Sequence, residues 1–111
     1  MSECLFCKMI GGEIPCEKVF ENKDVLGFKD IYPQAKEHYL FINKVHAVNI
    51  NESELENTSQ VFSAIKEFTT ANLLEKNGFR VVTNLGANGC QSVFHTHFHV
   101  LGGEKLGSFG S

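Results

Sequence analysis

The sequence predicts an α+β fold: a five-stranded, mostly antiparallel sheet carrying one long helix and a short N-terminal helix. Three observations predict it. Five short strand-like runs are separated by turn residues; a single long stretch repeats its apolar residues at helical spacing; and a chain of 111 residues can build only one modest core. No repeat, low-complexity tract or linker composition interrupts it, so a single domain over residues 1–111 is expected.

Taken in order, "LFCKMI" reads as a short helix or turn closed by Gly11 and Gly12. "EKVFEN" and "VLGFKD" read as two strands joined by a tight turn at Asn22, Lys23 and Asp24. "IYPQAKE" is a loop, because Pro33 cannot donate to a ladder and biases Tyr32 towards extended backbone. "HYLFIN" is the third strand and "KVHAVN" its exit. "LENTSQVFSAIKEFTTANLLEKNG" is the helix: Val61, Ile65 and Phe68 recur at helical spacing, Phe62 and Leu73 widen the stripe, and Gly78 after Asn77 suits a left-handed cap. "FRVVTN" is the fourth strand, "LGANGCQS" a glycine-rich loop and "VFHTHFHVL" the last strand.

Composition narrows the function. A net charge of −3 argues against a sequence-independent grip on a nucleic acid polymer, though a single nucleotide needs only a few well-placed donors. No run is long enough to span a bilayer, and "MSECLFCKMIGGEIP" lacks the basic start and apolar block of a signal peptide. A cytoplasmic chain is the expectation, with its four cysteines (4, 7, 16 and 90) reduced, so metal binding is favoured over disulfides.

The last strand holds three of the five histidines, His95, His97 and His99, at alternate positions. Successive strand residues point to opposite faces, so the three imidazoles share one face, while Phe94, Thr96, Phe98 and Val100 take the other. A half-exposed polar face accounts for one histidine there and poorly for three. Ligation or proton chemistry is the better reading. One metal cannot take all three: alternate side chains stand roughly 6.6 Å apart and the outer two about 13 Å, while zinc ligands converge at about 2 Å. At least one histidine is left for other work.

Cys4 and Cys7 in "CLFC" have the spacing of half a tetrahedral zinc site. A redox pair would normally follow a strand, and none precedes Cys4. His95 is a natural third ligand; the fourth is His97 or His46, of which His46 would tie three elements together and leave His97 free. Two buried apolar cysteines remain the simpler alternative.

"HTHFHVL" has the His-x-His-x-His-x-x pattern, and with it the chain resembles the histidine-triad (HIT) family. "GFKDIYPQAKEHYLFINKVH" and "VVTNLGANGCQSVFHTHFHVLGG" resemble its Hint branch of nucleoside phosphoramidases, and the resemblance runs from about Cys4 to Gly103. It implies a HIT-like fold that forms a homodimer through the long helix. It also implies cleavage of a purine nucleoside 5'-phosphoramidate at the α-phosphorus, through a covalent nucleotidyl-histidine on His97, releasing a monophosphate such as AMP or GMP. His99 and His38 would bind phosphate and support that nucleophile, with Ser92 beside the departing amine. Asn84, Gln91 and Ser92 match the family's polar phosphate and leaving-group contacts. Asp30 matches the carboxylate that accepts the ribose hydroxyls, with Ile31 beside it, and Leu5, Phe6, Phe28 and Leu40 match the apolar surround of the base. Asp30 could equally cap a turn before Pro33.

Zinc-binding relatives use two cysteines, a histidine beyond the third strand and the first triad histidine, which are Cys4, Cys7, His46 and His95 here. Such a Zn2+ would be structural, with no cofactor needed for chemistry. The chain departs from the family pattern at Cys90 and Glu37, where glycines are usual, at Asn43, where proline is common, and in the tail "GEKLGSFGS", which lacks a Trp-Pro-Pro-Gly ending. A nucleotide-binding scaffold with incidental hydrolysis, and a dinucleoside polyphosphate hydrolase, are the alternative functions.

Overall fold

The computed structural model describes residues 3–109. Among them the elements run α1 (Leu5–Ile10), β1 (Lys18–Glu21), β2 (Val25–Lys29), β3 (Glu37–Asn43), a 3-10 turn (Ile50–Glu52), α2 (Leu55–Ala71), α3 (Leu74–Asn77), β4 (Phe79–Val82) and β5 (His97–Gly102). The strands form one sheet in the order β1-β2-β3-β5-β4, with every pairing antiparallel. The five-stranded sheet is as expected.

Both faces of the sheet are covered, which is why β2 and β3 read as nearly continuous apolar runs. On one face Val25, Tyr39, Phe41, Phe98 and Val100 pack against Val61, Ala64, Ile65 and Phe68 of α2. On the other, Leu26, Phe28, Leu40 and Ile42 close with Phe6 of α1 into a second, smaller core. Gly27 makes the helix-side packing possible: a Cβ there would stand 2.7 Å from the Phe41 ring. The turn before β2 is built by Asn22, whose Oδ1 accepts the Asp24 and Val25 N–H groups, both at 2.8 Å.

Two elements differ from the sequence-based expectation. The long helix does not run to Gly78; it ends at Ala71. Leu73 then turns left-handed (φ 69°) and a separate four-residue helix follows. The Asn72 side chain accepts the Leu74 N–H at 3.1 Å, and the break drops Leu74 into the core while Leu73 stays 63% exposed. Leu73 therefore does not widen the buried stripe, and Phe62 does so only in part, touching Phe98 from a half-exposed position. Gly78 does adopt a positive φ, 101°, but as the end of α3.

The last strand begins at His97 rather than Val93. His95 lies in a bend ahead of the ladder, where Thr96 donates its N–H to the Ala47 carbonyl at 2.8 Å. Phe94, expected on the core face, is 58% exposed.

Candidate functional site

His97 and His99 emerge from β5 on the face away from α2, beside Ile42 and Leu40 of β3 in the sheet register. His38 enters that face from β3 opposite Leu101. The ring of Phe6 packs edge-on against both His97 (centroids 5.2 Å) and His95 (5.9 Å), so the first two histidines stay on one side although His95 precedes the strand. His97 and His99 stand with their ring centres 5.1 Å apart.

Hydrogen-bond partners assign the tautomers. His97 Nδ1–H donates to the backbone oxygen of His95 at 2.8 Å, which leaves Nε2 a bare lone pair. The Gln34 N–H donates to His38 Nδ1 at 3.0 Å, so the His38 proton sits on Nε2 and is donated to His99 Nδ1 at 2.8 Å. His99 consequently carries its own proton on Nε2. The two rings are thus complementary: His97 offers an electron pair and His99 an N–H.

All three imidazoles are held neutral. Burial lowers His97, and lowers His38 despite the Asp30 carboxylate. His99 is pushed down to about 4 by burial, with repulsion from His97 and His38 adding to it.

The rings face a cleft of about 680 Å³ whose walls include His38, His97, His99, Asn84, Cys90, Gln91, Ser92, Arg80 and the tail residues Gly107, Ser108 and Phe109. Gln91 meets it with little to offer a ligand: its amide donates to the Val48 carbonyl (2.7 Å) and the Val93 carbonyl (3.1 Å), and its oxygen accepts the Gly86 N–H (2.9 Å). It fastens the glycine-rich loop. Ser92 is exposed and borders a second hollow of about 510 Å³ shared with Leu5, His46 and Phe94.

The residues matched to a nucleoside are dispersed. Phe6, Phe28 and Leu40 are 4%, 2% and 7% exposed, so they are core first and leave almost no surface to a base. Leu5 (41%) and Ile31 (80%) do present surface. Asp30 uses Oδ1 to accept the Tyr32 N–H at 2.8 Å, the turn cap that its position also suggested. Its Oδ2 lies 3.5 Å from His38 Nε2.

Cys4, Cys7, His46 and His95 converge, with one ligand atom from each inside a 4.8 Å span. Cys4 Sγ and Cys7 Sγ stand 3.4 and 3.6 Å from His95 Nδ1; His46 Nδ1 stands 3.4 Å from Cys7 Sγ and 3.2 Å from His95 Nδ1. A tetrahedral Zn2+ with bonds of about 2.0–2.3 Å has S···N edges of about 3.5 Å and N···N edges of about 3.3 Å. The set fits. Moreover, His95 donates Nε2–H to the Asn43 carbonyl at 2.9 Å, so its Nδ1 has one lone pair and three neighbours aimed at it, an arrangement a shared cation satisfies. Asp30, His38 and His99 also cluster, but the 2.8 Å between the two imidazoles is too short for a tetrahedral edge and is bridged by a proton.

The model of the HIT domain family matches residues 11–106. The chain belongs to that family. A HIT-like protein of Helicobacter pylori, called uncharacterized, is 42% identical over 101 residues, 91% of this chain and 97% of its own. A solved HIT family hydrolase from Clostridium thermocellum is 33% identical, superposes with a TM-score of 0.92, and is matched over 98% of this HIT chain and 97% of that one. A histidine triad nucleotide-binding protein from Candida albicans is 31% identical, with a TM-score of 0.85 over 98% and 85% of the two chains.

Two residues of this HIT site escaped the sequence reading. Asn43, in the usual proline position, donates Nδ2–H to the Asn57 carbonyl (3.2 Å) and Gln60 Oε1 (2.8 Å), while its carbonyl holds His95. Its signals in the sequence are a polar residue ending the apolar run "HYLFI" and the departure from the family's usual proline, neither of which names a role. Arg80 is the other, and it is the only arginine in the chain.

Proposed function

We propose that this HIT-family chain is a hydrolase that cleaves purine nucleoside 5'-phosphoramidates at the α-phosphorus through a nucleotidyl-His97 intermediate. One observation carries the reading: His97 is a neutral imidazole whose Nδ1–H is pinned, leaving Nε2 bare in a cleft beside the His99 donor. In the first step the Nε2 pair bonds to phosphorus as the P–N bond breaks. The departing nitrogen keeps that bond's electrons and takes a proton through the Ser92 hydroxyl, which solvent replenishes. His99 Nε2–H donates to a phosphoryl oxygen, supplying a fixed donor where charge accumulates. In the second step a water oxygen attacks phosphorus, the P–Nε2 bond breaks and its electrons return to His97, the water proton leaves by the same hydroxyl, and the monophosphate departs.

Asp30 takes the ribose in this reading, and Leu5 and Ile31 are the apolar surface available to the base. Gln91 positions the loop that carries Asn84 and Ser92. A Zn2+ on Cys4, Cys7, His46 and His95 is structural; its chemistry is to tie α1 to the exit of β3 and to the bend before β5. The chain works in the cytoplasm as a single-domain protein and pairs into a homodimer through α2, where Leu55 and Phe62 expose apolar surface.

A nucleotide-binding protein with incidental hydrolysis is the second reading, favoured by the description of the Candida albicans relative. His97→Ala should reduce turnover of an adenosine phosphoramidate at least 10³-fold while AMP binding persists, by analogy with loss of a covalent nucleophile. Mass spectrometry of quenched wild-type reactions should find His97 carrying a nucleotidyl group. Unchanged turnover in the variant removes His97 from the reaction, and binding without an adduct favours the second reading.

A further inference from the structure

Arg80 lies on β4 opposite Leu101, two positions from Val82, which pairs with His99. Strand residues two apart share a face, so Arg80, Val82, His99 and Leu101 line one wall, and all four do border the histidine cleft. Arg80 is the one permanently charged cation among the cleft's described lining residues. It makes no ion pair among the described residues. Its one described hydrogen bond runs from Nη2–H to the carbonyl of Gly107, at 2.6 Å, in the tail that lines the cleft. A guanidinium has five N–H groups in a planar fork suited to a carboxylate or phosphate.

Which half of a substrate meets this fork follows from the placement of the nucleoside candidates. Asp30, Ile31 and Leu5 lie outside the lining of this cleft. Asp30 follows β2 and Arg80 sits on β4, on opposite sides of the β3–β5 pair that carries the histidines, so the Arg80 end of the cleft is the side left to the departing group.

We propose that Arg80 makes the site selective for leaving groups that carry an oxyanion, a carboxylate or a phosphate, placed a few bonds beyond the scissile nitrogen. This deepens the phosphoramidase reading and rests on it. The oxyanion bonds the guanidinium N–H groups left by the Gly107 carbonyl, or displaces that carbonyl and loosens the tail.

The test uses two matched pairs of adenosine 5'-phosphoramidates, with β-alanine against β-alaninamide and phosphoethanolamine against ethanolamine as the amine. In the wild-type protein each charged member should show a kcat/KM about tenfold above its neutral partner, the size of one charge-assisted hydrogen bond. The two pairs tell carboxylate from phosphate preference. Arg80→Gln should bring the ratio near one and Arg80→Lys should keep part of it; a role in holding the tail alone would lower both members together and leave the ratio intact. A wild-type ratio of one or less in both pairs overturns the proposal, as does a ratio that survives Arg80→Gln. If no compound is cleaved, the hydrolase reading fails instead, and the same ratios read as competition against labelled AMP still decide for or against Arg80.

Discussion

Cys90 shows how one side chain can sit at odds with its backbone. It holds φ +61° in the glycine-rich loop, a left-handed conformation that costs a residue with a Cβ roughly 1–2 kcal/mol. That geometry explains why glycine is usual there; the left-handed conformation falls on Cys90 and not on Gly89, which is needed as glycine for a different reason, since a Cβ on it would lie 2.5 Å from the Leu85 carbonyl. Cys90→Gly should therefore stabilise the protein by about 1 kcal/mol and raise Tm by roughly 4 °C in calorimetry. An unchanged or lower Tm would mean the thiol makes compensating contacts. At this scale the histidines were legible, since three imidazoles at alternate positions of one apolar run point to ligation or proton chemistry. Arg80 and Asn43 were not, because a single strand's alternation says which residues share a face but not what the neighbouring strand and tail place there.

Among the elements, α1 depends most on side chains distant in sequence. It is six residues long, and Cys4 caps it by accepting the Cys7 N–H at 3.4 Å. So short a helix does not stand alone. Its anchors are Phe6 in the second core and the Cys4–Cys7–His46–His95 cluster. Purified with its metal, the protein should contain close to one zinc per chain, and His46→Ala or Cys7→Ser should lose it and lower Tm by roughly 10 °C or more. Elemental analysis beside a melting curve checks both, and equal zinc in wild type and variants would exclude this ligand set. The spacing Cys-x-x-Cys made half of that cluster readable, and His46 was preferred because it joined three elements. Apolar alternation continues through Val93 and Phe94 and hides the start of the last strand, because the backbone there is bent away by the Thr96–Ala47 hydrogen bond and His95 lies in the bend. The helix end was hidden likewise: Leu73 continues the apolar pattern, and only the Asn72 cap marks the break.

Across the whole molecule the sheet separates two apolar layers, and the face that carries the histidines is the one with the smaller core. His38 and His99 are embedded there as neutral rings, both held below the ordinary imidazole value. Unfolded, each would titrate near about 6.5. As pH falls the unfolded chain takes up protons first, so stability is complete above about pH 6.5 and drains away towards about pH 4, where folded His99 finally titrates. Urea titrations at pH 7.5, 5.5 and 4.5 should show falling midpoints; His99→Gln should flatten that slope, and an unaltered slope would shift the cause to other groups. The five-strand plan was readable from the order of short apolar runs, while strand order and the burial of Phe6, Phe28 and Leu40 emerge only once both faces are covered.

Ser92 belongs to the rims of both hollows, the one that holds the histidines and the one beside Leu5. On the proposed reading, an amine severed beside that ridge has the larger hollow as its way out. Its departure opens that approach to water, so the nucleotide held on His97 is released only after the amine has gone.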